Sequence, residues 1–208
     1  MEKEQLKYLK GTTTVGLTCE DGVVLATDTR ATAGYLVASK QARKVYKVTD
    51  NIAVTVAGGV GDTQGLVRML RAEANYYRMR EGHPMSVLAA AKLTSNILHA
   101  YRFFPYLALL IVAGVDRSGS SIYFLGLDGS MIKDKTLAIG SGSPVAYGVL
   151  ESHVKGDMKV GDALPIAVKA IQVAIKRDIG TGNDVRVATV TDSGYKELSP
   201  EEIKKLEA

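Results

Sequence analysis

The chain has 208 residues, of which 46% are apolar and 23% charged, proportions that suit one domain with a sizeable core and exclude extended disorder outside the ends. The formal charge of +4, from 26 Lys+Arg against 22 Asp+Glu, is dispersed along the sequence and lacks the basic stripe that nucleic-acid binding wants. A single cysteine, Cys19, excludes an internal disulfide and fits a reducing compartment.

The first residues, Met1 to Lys10, are charged and have no apolar centre of the kind a secretory signal requires. The longest apolar run, Leu107 to Val115, is too short to span a bilayer, so a soluble, cytoplasmic protein is expected. Thr12 to Cys19 and Val23 to Thr29 read as strands joined by a tight turn at Glu20-Asp21-Gly22. Val23, Leu25 and Thr27 then share one face, and Val24, Ala26 and Asp28 the other, which puts an acid among small apolar residues. The stretch from Asp28 to Gly34 leaves the strand as a loop. Lys44 to Val48 and Asn51 to Ala57 form a second hairpin that runs into Gly58-Gly59-Val60-Gly61-Asp62, where backbone N–H groups can approach a ligand closely. No Gly-Lys-Ser/Thr closes that cluster, so it is not a phosphate loop.

Helical periodicity predicts helices from about Asp62 to Arg80 and from about Ser86 to Phe103. Strands Leu107 to Asp116 and Ser120 to Leu127 follow, and after Asp128-Gly129 a strand ends at Gly140. A short helix runs from Ser143-Pro144 to about His153, and another opens at Asp162 and ends near Asp178 to Gly182. Val185 to Thr191 is a core strand with Tyr195 to Leu198 beside it, and Ser199-Pro200-Glu201-Glu202 is a capping box for a terminal helix. Hairpin-linked strands and helices in adjacent pairs imply an α+β fold: a four-layer αββα sandwich of two antiparallel sheets flanked by helix pairs. His83, His99 and His153 are far apart, and no His-x-x-x-His or Cys-x-x-Cys occurs, so nothing supports a metal site or a cofactor.

Lys10-Gly11-Thr12-Thr13-Thr14-Val15-Gly16 opens the first strand. A threonine hydroxyl needs a base beside it to act as a nucleophile, and the nearest one available is the α-amine of the same residue. Thr12 has that amine only if the Gly11–Thr12 bond is cut. On these letters alone, three threonines read first as plain strand residues.

Taken together, Gly11 to Gly16, Ala26-Thr27-Asp28-Thr29-Arg30, Lys44, Ala57-Gly58-Gly59, Gly61-Asp62, Gly140-Ser141-Gly142-Ser143-Pro144 and Arg177-Asp178 resemble the archaeal 20S proteasome β subunits, over essentially all of the chain after Lys10. The resemblance implies an N-terminal nucleophile hydrolase, a threonine peptidase made as a precursor. Its leader, Met1 to Gly11, would be removed autocatalytically from a single domain, residues 12–208. Thr12 would be nucleophile and, through its new amine, base. Lys44 would favour the neutral amine and stabilise developing negative charge, and Asp28 would hold Lys44. The Gly58 N–H would face the oxyanion. Ser141 and Asp178 would complete the hydrogen bonds around the amine, and Thr181 would supply the hydroxyl for which several relatives use serine. Ala31, Ala42, Val56 and Gly58 would line an apolar pocket for the residue before the cut.

The implied partners are proteasome α subunits, other β subunits in seven-membered rings, an ATP-dependent unfoldase cap and unfolded polypeptides, with neither nucleic acid nor membrane. The helix around Gly59 to Arg80 and the pair Phe103-Phe104 are candidate interface elements. A catalytically silent β subunit serving as ring scaffold, or a different N-terminal nucleophile amidase, remains open at this stage.

Overall fold

The computed structural model describes residues 11–206. Of the expected leader, Met1 to Lys10 lie outside the described residues, and only Gly11 lies within them.

The elements follow in the order β1 (Thr13–Cys19), β2 (Gly22–Asp28), β3 (Ala31–Ala33), β4 (Leu36–Ser39), β5 (Val45–Lys47), β6 (Ile52–Gly58), α1 (Val60–Glu81), α2 (Val87–Ala100), β7 (Ala108–Asp116), β8 (Gly119–Leu125), β9 (Met131–Asp134), β10 (Thr136–Gly140), α3 (Ser143–His153), α4 (Val160–Arg177), β11 (Val185–Thr191), β12 (Gly194–Glu197) and α5 (Pro200–Leu206). One antiparallel sheet has the order β10-β1-β2-β11-β12 and a second the order β5-β6-β7-β8-β9. Among the described residues, strands β3 and β4 pair only with each other.

Strand alternation explains how these pieces stack. Val23, Leu25, Ala53, Ala57, Ile111, Ala113, Ile122, Leu137, Ile139, Ala188 and Val190 form the core between the two sheets. The opposite faces feed two further cores. Val15, Leu17, Val24, Ala26 and Val187 pack under α3 and α4, while Ile52, Val54, Val56, Leu110, Val112 and Leu125 pack under α1 and α2. Helix pair, sheet, sheet, helix pair is therefore the order of layers, as the alternation predicts. Thr14 and Thr55, both fully buried, bridge the sheets through hydroxyls 2.8 Å apart, so neither buried hydroxyl is left unpaired.

Two parts of the sequence reading need correction. The stretch from Asp28 to Gly34, read as a loop, contains β3, which forms a hairpin with β4 just beyond it; the residues of both are mostly exposed and show no buried alternation. The strand expected to end at Gly140 is two strands: β9 belongs to the second sheet and β10 to the first, so the chain crosses between sheets near Lys135. The terminal capping box is present as read. Glu202 N–H donates to Ser199 Oγ, and Ser199 N–H to the Glu202 carboxylate.

Candidate active site

The β1–β2 hairpin register sets Thr14 opposite Thr27, which brings the N-terminal end of β1 beside Asp28 at the end of β2. Asp28 is fully buried, yet its carboxylate is saturated. Oδ1 accepts from the Thr13 N–H at 3.0 Å and from Lys44 Nζ at 2.6 Å, and Oδ2 accepts from the N–H groups of Arg30 at 3.0 Å and Gly182 at 2.9 Å. Three backbone donors and one ion pair offset the desolvation that burying the charge incurs. Lys44 immediately precedes β5, and its carbonyl accepts from the Val56 N–H, which anchors it to the second sheet. The ion pair thus ties the two sheets together at one end. Burial pushes the Lys44 ammonium below its usual range, and the neighbouring Asp28 opposes this only in part.

The carbonyl oxygen of the Gly11–Thr12 peptide bond is held by two donors. Thr12 Oγ1 donates to the Gly11 oxygen at 2.7 Å, and Lys44 Nζ donates to the same oxygen at 3.3 Å. Gly11 is buried at φ +117, and a Cβ there would lie 2.1 Å from Thr32 Oγ1, so this position accepts only glycine without strain. The Gly11 N–H donates to Ser141 Oγ at 3.1 Å.

On the other side of Thr12, the turn after β10 and the end of α4 meet. Asp178 Oδ2 accepts from Ser141 Oγ and from Thr181 Oγ1, each at 2.5 Å. Arg30 clamps the loop that carries Thr181, donating through Nη1 to the Ile179 carbonyl and through Nε to Asn183 Oδ1. Its guanidinium lies over Gly182, where a Cβ would be only 2.1 Å from Cζ.

Every predicted site residue falls in this region. Thr12, Asp28, Lys44, Ser141, Asp178 and Thr181 are joined in one hydrogen-bonded system through Gly11 and Thr13. Gly58, at φ +128, lines a cavity of about 250 Å³ that opens beside Thr12, together with Ala31, Ala42 and Val56. The pocket is less apolar than those four residues suggest, because Arg43, Lys44, Tyr46 and Gln64 also line it, but no acid does. Cavities of about 970, 550 and 400 Å³ exist elsewhere, and none of the predicted site residues lines them.

The sequence reading overlooked the buried hydroxyl of Thr13, and the part Arg30 plays in clamping the loop. Thr13 is next to the candidate nucleophile and Arg30 follows Asp28-Thr29, so adjacency is the signal the sequence offers for both. Among the described residues, no helix is long and apolar enough to cross a membrane.

Comparison with known proteins gives the family. The family profile described as proteasome subunit matches residues 8–190. A proteasome subunit beta of Methanothermobacter thermautotrophicus is 50% identical over 198 residues, 95% of this chain and 94% of that protein. Similar proteins of the same description occur in Ferroglobus placidus, 48% identical over 96% of both chains, and in Methanocaldococcus vulcanius, 51% identical over 95% of this chain and 90% of that one. The chain belongs to the proteasome subunit family, as a β subunit of archaeal type.

Proposed function

We propose that this chain is a threonine endopeptidase that first cuts its own leader and then hydrolyses peptide bonds of unfolded polypeptides, with Thr12 as nucleophile. The observation that carries the reading is the pair of contacts on the Gly11 carbonyl oxygen, from the Thr12 hydroxyl at 2.7 Å and the Lys44 ammonium at 3.3 Å. A cation on that oxygen draws electrons from the carbonyl carbon and stabilises the charge that develops when Thr12 Oγ adds to it.

In self-cleavage the Oγ–C bond forms and the Gly11 C–Thr12 N bond breaks. The nitrogen takes up the hydroxyl proton, and the leader is left as an ester on Thr12. Water then hydrolyses the ester, releasing Met1–Gly11 with a new carboxylate and leaving Thr12 with a free amine, at the head of a domain spanning 12–208. That amine can do what the amide nitrogen cannot: take the hydroxyl proton as Oγ attacks a substrate carbonyl, then hand it to the departing substrate amine. Ser141 and Asp178 hold the amine, Thr181 steadies Asp178, and the Gly58 N–H faces the oxyanion. The side chain before the cut enters the cavity walled by Ala31, Ala42 and Val56. No metal or cofactor is needed in this scheme.

The family implies assembly with α subunits and further β subunits; our reading adds seven-membered rings, an ATP-dependent unfoldase that feeds unfolded chains to an inner chamber, and a cytoplasmic setting. Exposed Phe103 and Phe104, and Tyr76 and Met79 on α1, are consistent with surfaces awaiting such partners.

The test is Thr12→Ala in particles assembled with the partner α subunit. Intact mass should show the full-length chain retained and peptide hydrolysis abolished, with ring assembly kept. Particles of Thr12→Ala that still hydrolyse peptides, with no other active β subunit present, refute the assignment.

A further inference from the structure

The three consecutive threonines separate into three environments. Thr12 faces the scissile carbonyl and Thr14 bridges the sheets to Thr55, which leaves Thr13 without a part in the scheme above. We infer that Thr13 is a positioning residue that locks the Asp178 cluster to the strand carrying Thr12. The inference rests on Thr12 being the nucleophile and adds a residue to that reading.

Thr13 is fully buried and touches both carboxylate clusters at once. Its backbone N–H donates to Asp28 Oδ1, and its Oγ1 lies 2.7 Å from Thr181 Oγ1. The direction of this second bond follows from counting hydrogens. Thr181 has one hydroxyl hydrogen, and the 2.5 Å contact with Asp178 Oδ2 uses it, because a carboxylate oxygen only accepts. Thr13 must therefore be the donor. The hydroxyls run in one direction, Thr13 to Thr181 to Asp178, and successive donors of this kind polarise one another.

Ser141 closes the system from the other end. Its single hydrogen goes to the same Asp178 Oδ2, so its oxygen is left to accept the N–H of Gly11. Once the leader is cut, that same oxygen is free to accept from the Thr12 amine. Asp178 thus orients the group that faces the amine, and Thr13 fixes Thr181, the other donor to Asp178. A second feature of the turn fits this part: a Cβ on Gly142 would lie 2.1 Å from Thr13 Oγ1 and 3.1 Å from Thr181 Oγ1. The glycine leaves the space the two hydroxyls occupy.

The experiment compares Thr13→Val, which keeps the branched shape and loses the hydroxyl, with Thr13→Ser, which keeps the hydroxyl and loses the methyl. Both are assembled with the partner α subunit and assayed on a fluorogenic peptide with Tyr before the reporter. Rates are normalised to the chain that begins at Thr12, supplied with that N-terminus through a removable fusion if self-cleavage stalls. Loss of one hydrogen bond should lower kcat about tenfold in Thr13→Val, with KM within about twofold of the parent, while Thr13→Ser stays within about threefold. Should Thr13→Val fail to assemble, Thr13→Ala is read against Thr13→Ser in the same way. The inference is overturned by Thr13→Val matching the parent, by equal loss in the serine and valine forms, which would make Thr13 a packing residue, or by a loss confined to KM. Thr12→Ala particles run alongside keep the two ideas apart: hydrolysis by those particles defeats the nucleophile reading itself. Dead Thr12→Ala beside an unimpaired Thr13→Val defeats only the assignment of Thr13.

Discussion

Replacing Gly11 by alanine is the sharpest test of self-cleavage, because the residue is lost once the bond is cut. Gly11 sits at φ +117, and an added Cβ would meet Thr32 Oγ1 at 2.1 Å and the Gly180 carbonyl at 3.6 Å. A side chain held in such a backbone region costs about 1–3 kcal/mol, before the collision with Thr32 is counted. If the carbonyl must stay on Thr12 Oγ1 and Lys44 Nζ to react, that cost adds to the barrier and slows cleavage about five- to 150-fold. The Thr32→Ala change in the Gly11→Ala background removes the colliding oxygen but not the backbone strain, so it should restore part of the rate and not all of it. Leader loss is followed by intact mass over time after mixing the precursor with the partner α subunit. A chain supplied already cut at Thr12 is the control, since Gly11 is absent from it. Gly11→Ala precursor that is processed as fast as the parent would show that the geometry around the Gly11 carbonyl is not the reacting one.

Three further outcomes are expected. Burial lowers the Lys44 ammonium below 10.5, so activity that needs the cation should fall off on the alkaline side before pH 10.5, and a rate flat through that pH would count against a charged Lys44. The same shift makes the native state the weaker proton binder, so the stability penalty of burying this ammonium is full below the folded value and is relieved as pH climbs from that value towards 10.5. Lys44→Met, read by thermal unfolding against the parent across that range, checks the sign: the parent should gain on the variant as pH rises. In the cavity beside Thr12, the absence of any acid and the presence of Arg43 and Lys44 predict faster kcat/KM for Tyr, Phe or Leu before the cut than for Glu, with Arg slowest. An Arg peptide turned over fastest would mean that a neighbouring subunit supplies a charge. Finally, Gly58→Ala would place a Cβ 2.1 Å from the Leu107 carbonyl at φ +128, an obstacle of backbone that cannot swing aside. A loss of about 3 kcal/mol or failure to fold is expected by chemical denaturation, and unchanged stability would contradict the path of the chain there.

What could be read from the sequence followed from burial. Strands that alternate between two cores, as Val23 and Leu25 do against Val24 and Ala26, carry their own sheet assignment, and the helices with apolar stripes do the same. The hairpin β3–β4 carries no such stripe. Tyr35, Leu36 and Val37 are exposed, so no core imposes a period on the letters. The change of sheet at Lys135 leaves no mark for another reason: alternation reports which residues face a core, and in β9 only Met131 packs against one. Site residues were legible through motif order, whereas Thr13, the backbone donors to Asp28 and the clamp by Arg30 emerge only when β2, β11 and the loop after α4 are brought together.

On the proposed reading, the two carboxylates play different parts in the precursor and in the cut chain. Asp28 has all its bonds to groups that cutting the leader does not remove: Lys44 and the N–H groups of Thr13, Arg30 and Gly182. On that reading those bonds outlast the cut, and Lys44 gives up only its contact with the Gly11 oxygen. Asp178 is different, because it reaches the reacting end only through hydroxyls, and one of them, Ser141, spends its oxygen on the Gly11 N–H that disappears with the leader. On the proposed reading, cleavage offers the Ser141 oxygen an amine in place of the Gly11 amide donor. That exchange needs the hydroxyls held in one direction beforehand. A carboxylate free to rotate would let Ser141 turn towards the Thr12 carbonyl, 3.5 Å from its oxygen, and face the new amine with a hydrogen instead of a lone pair.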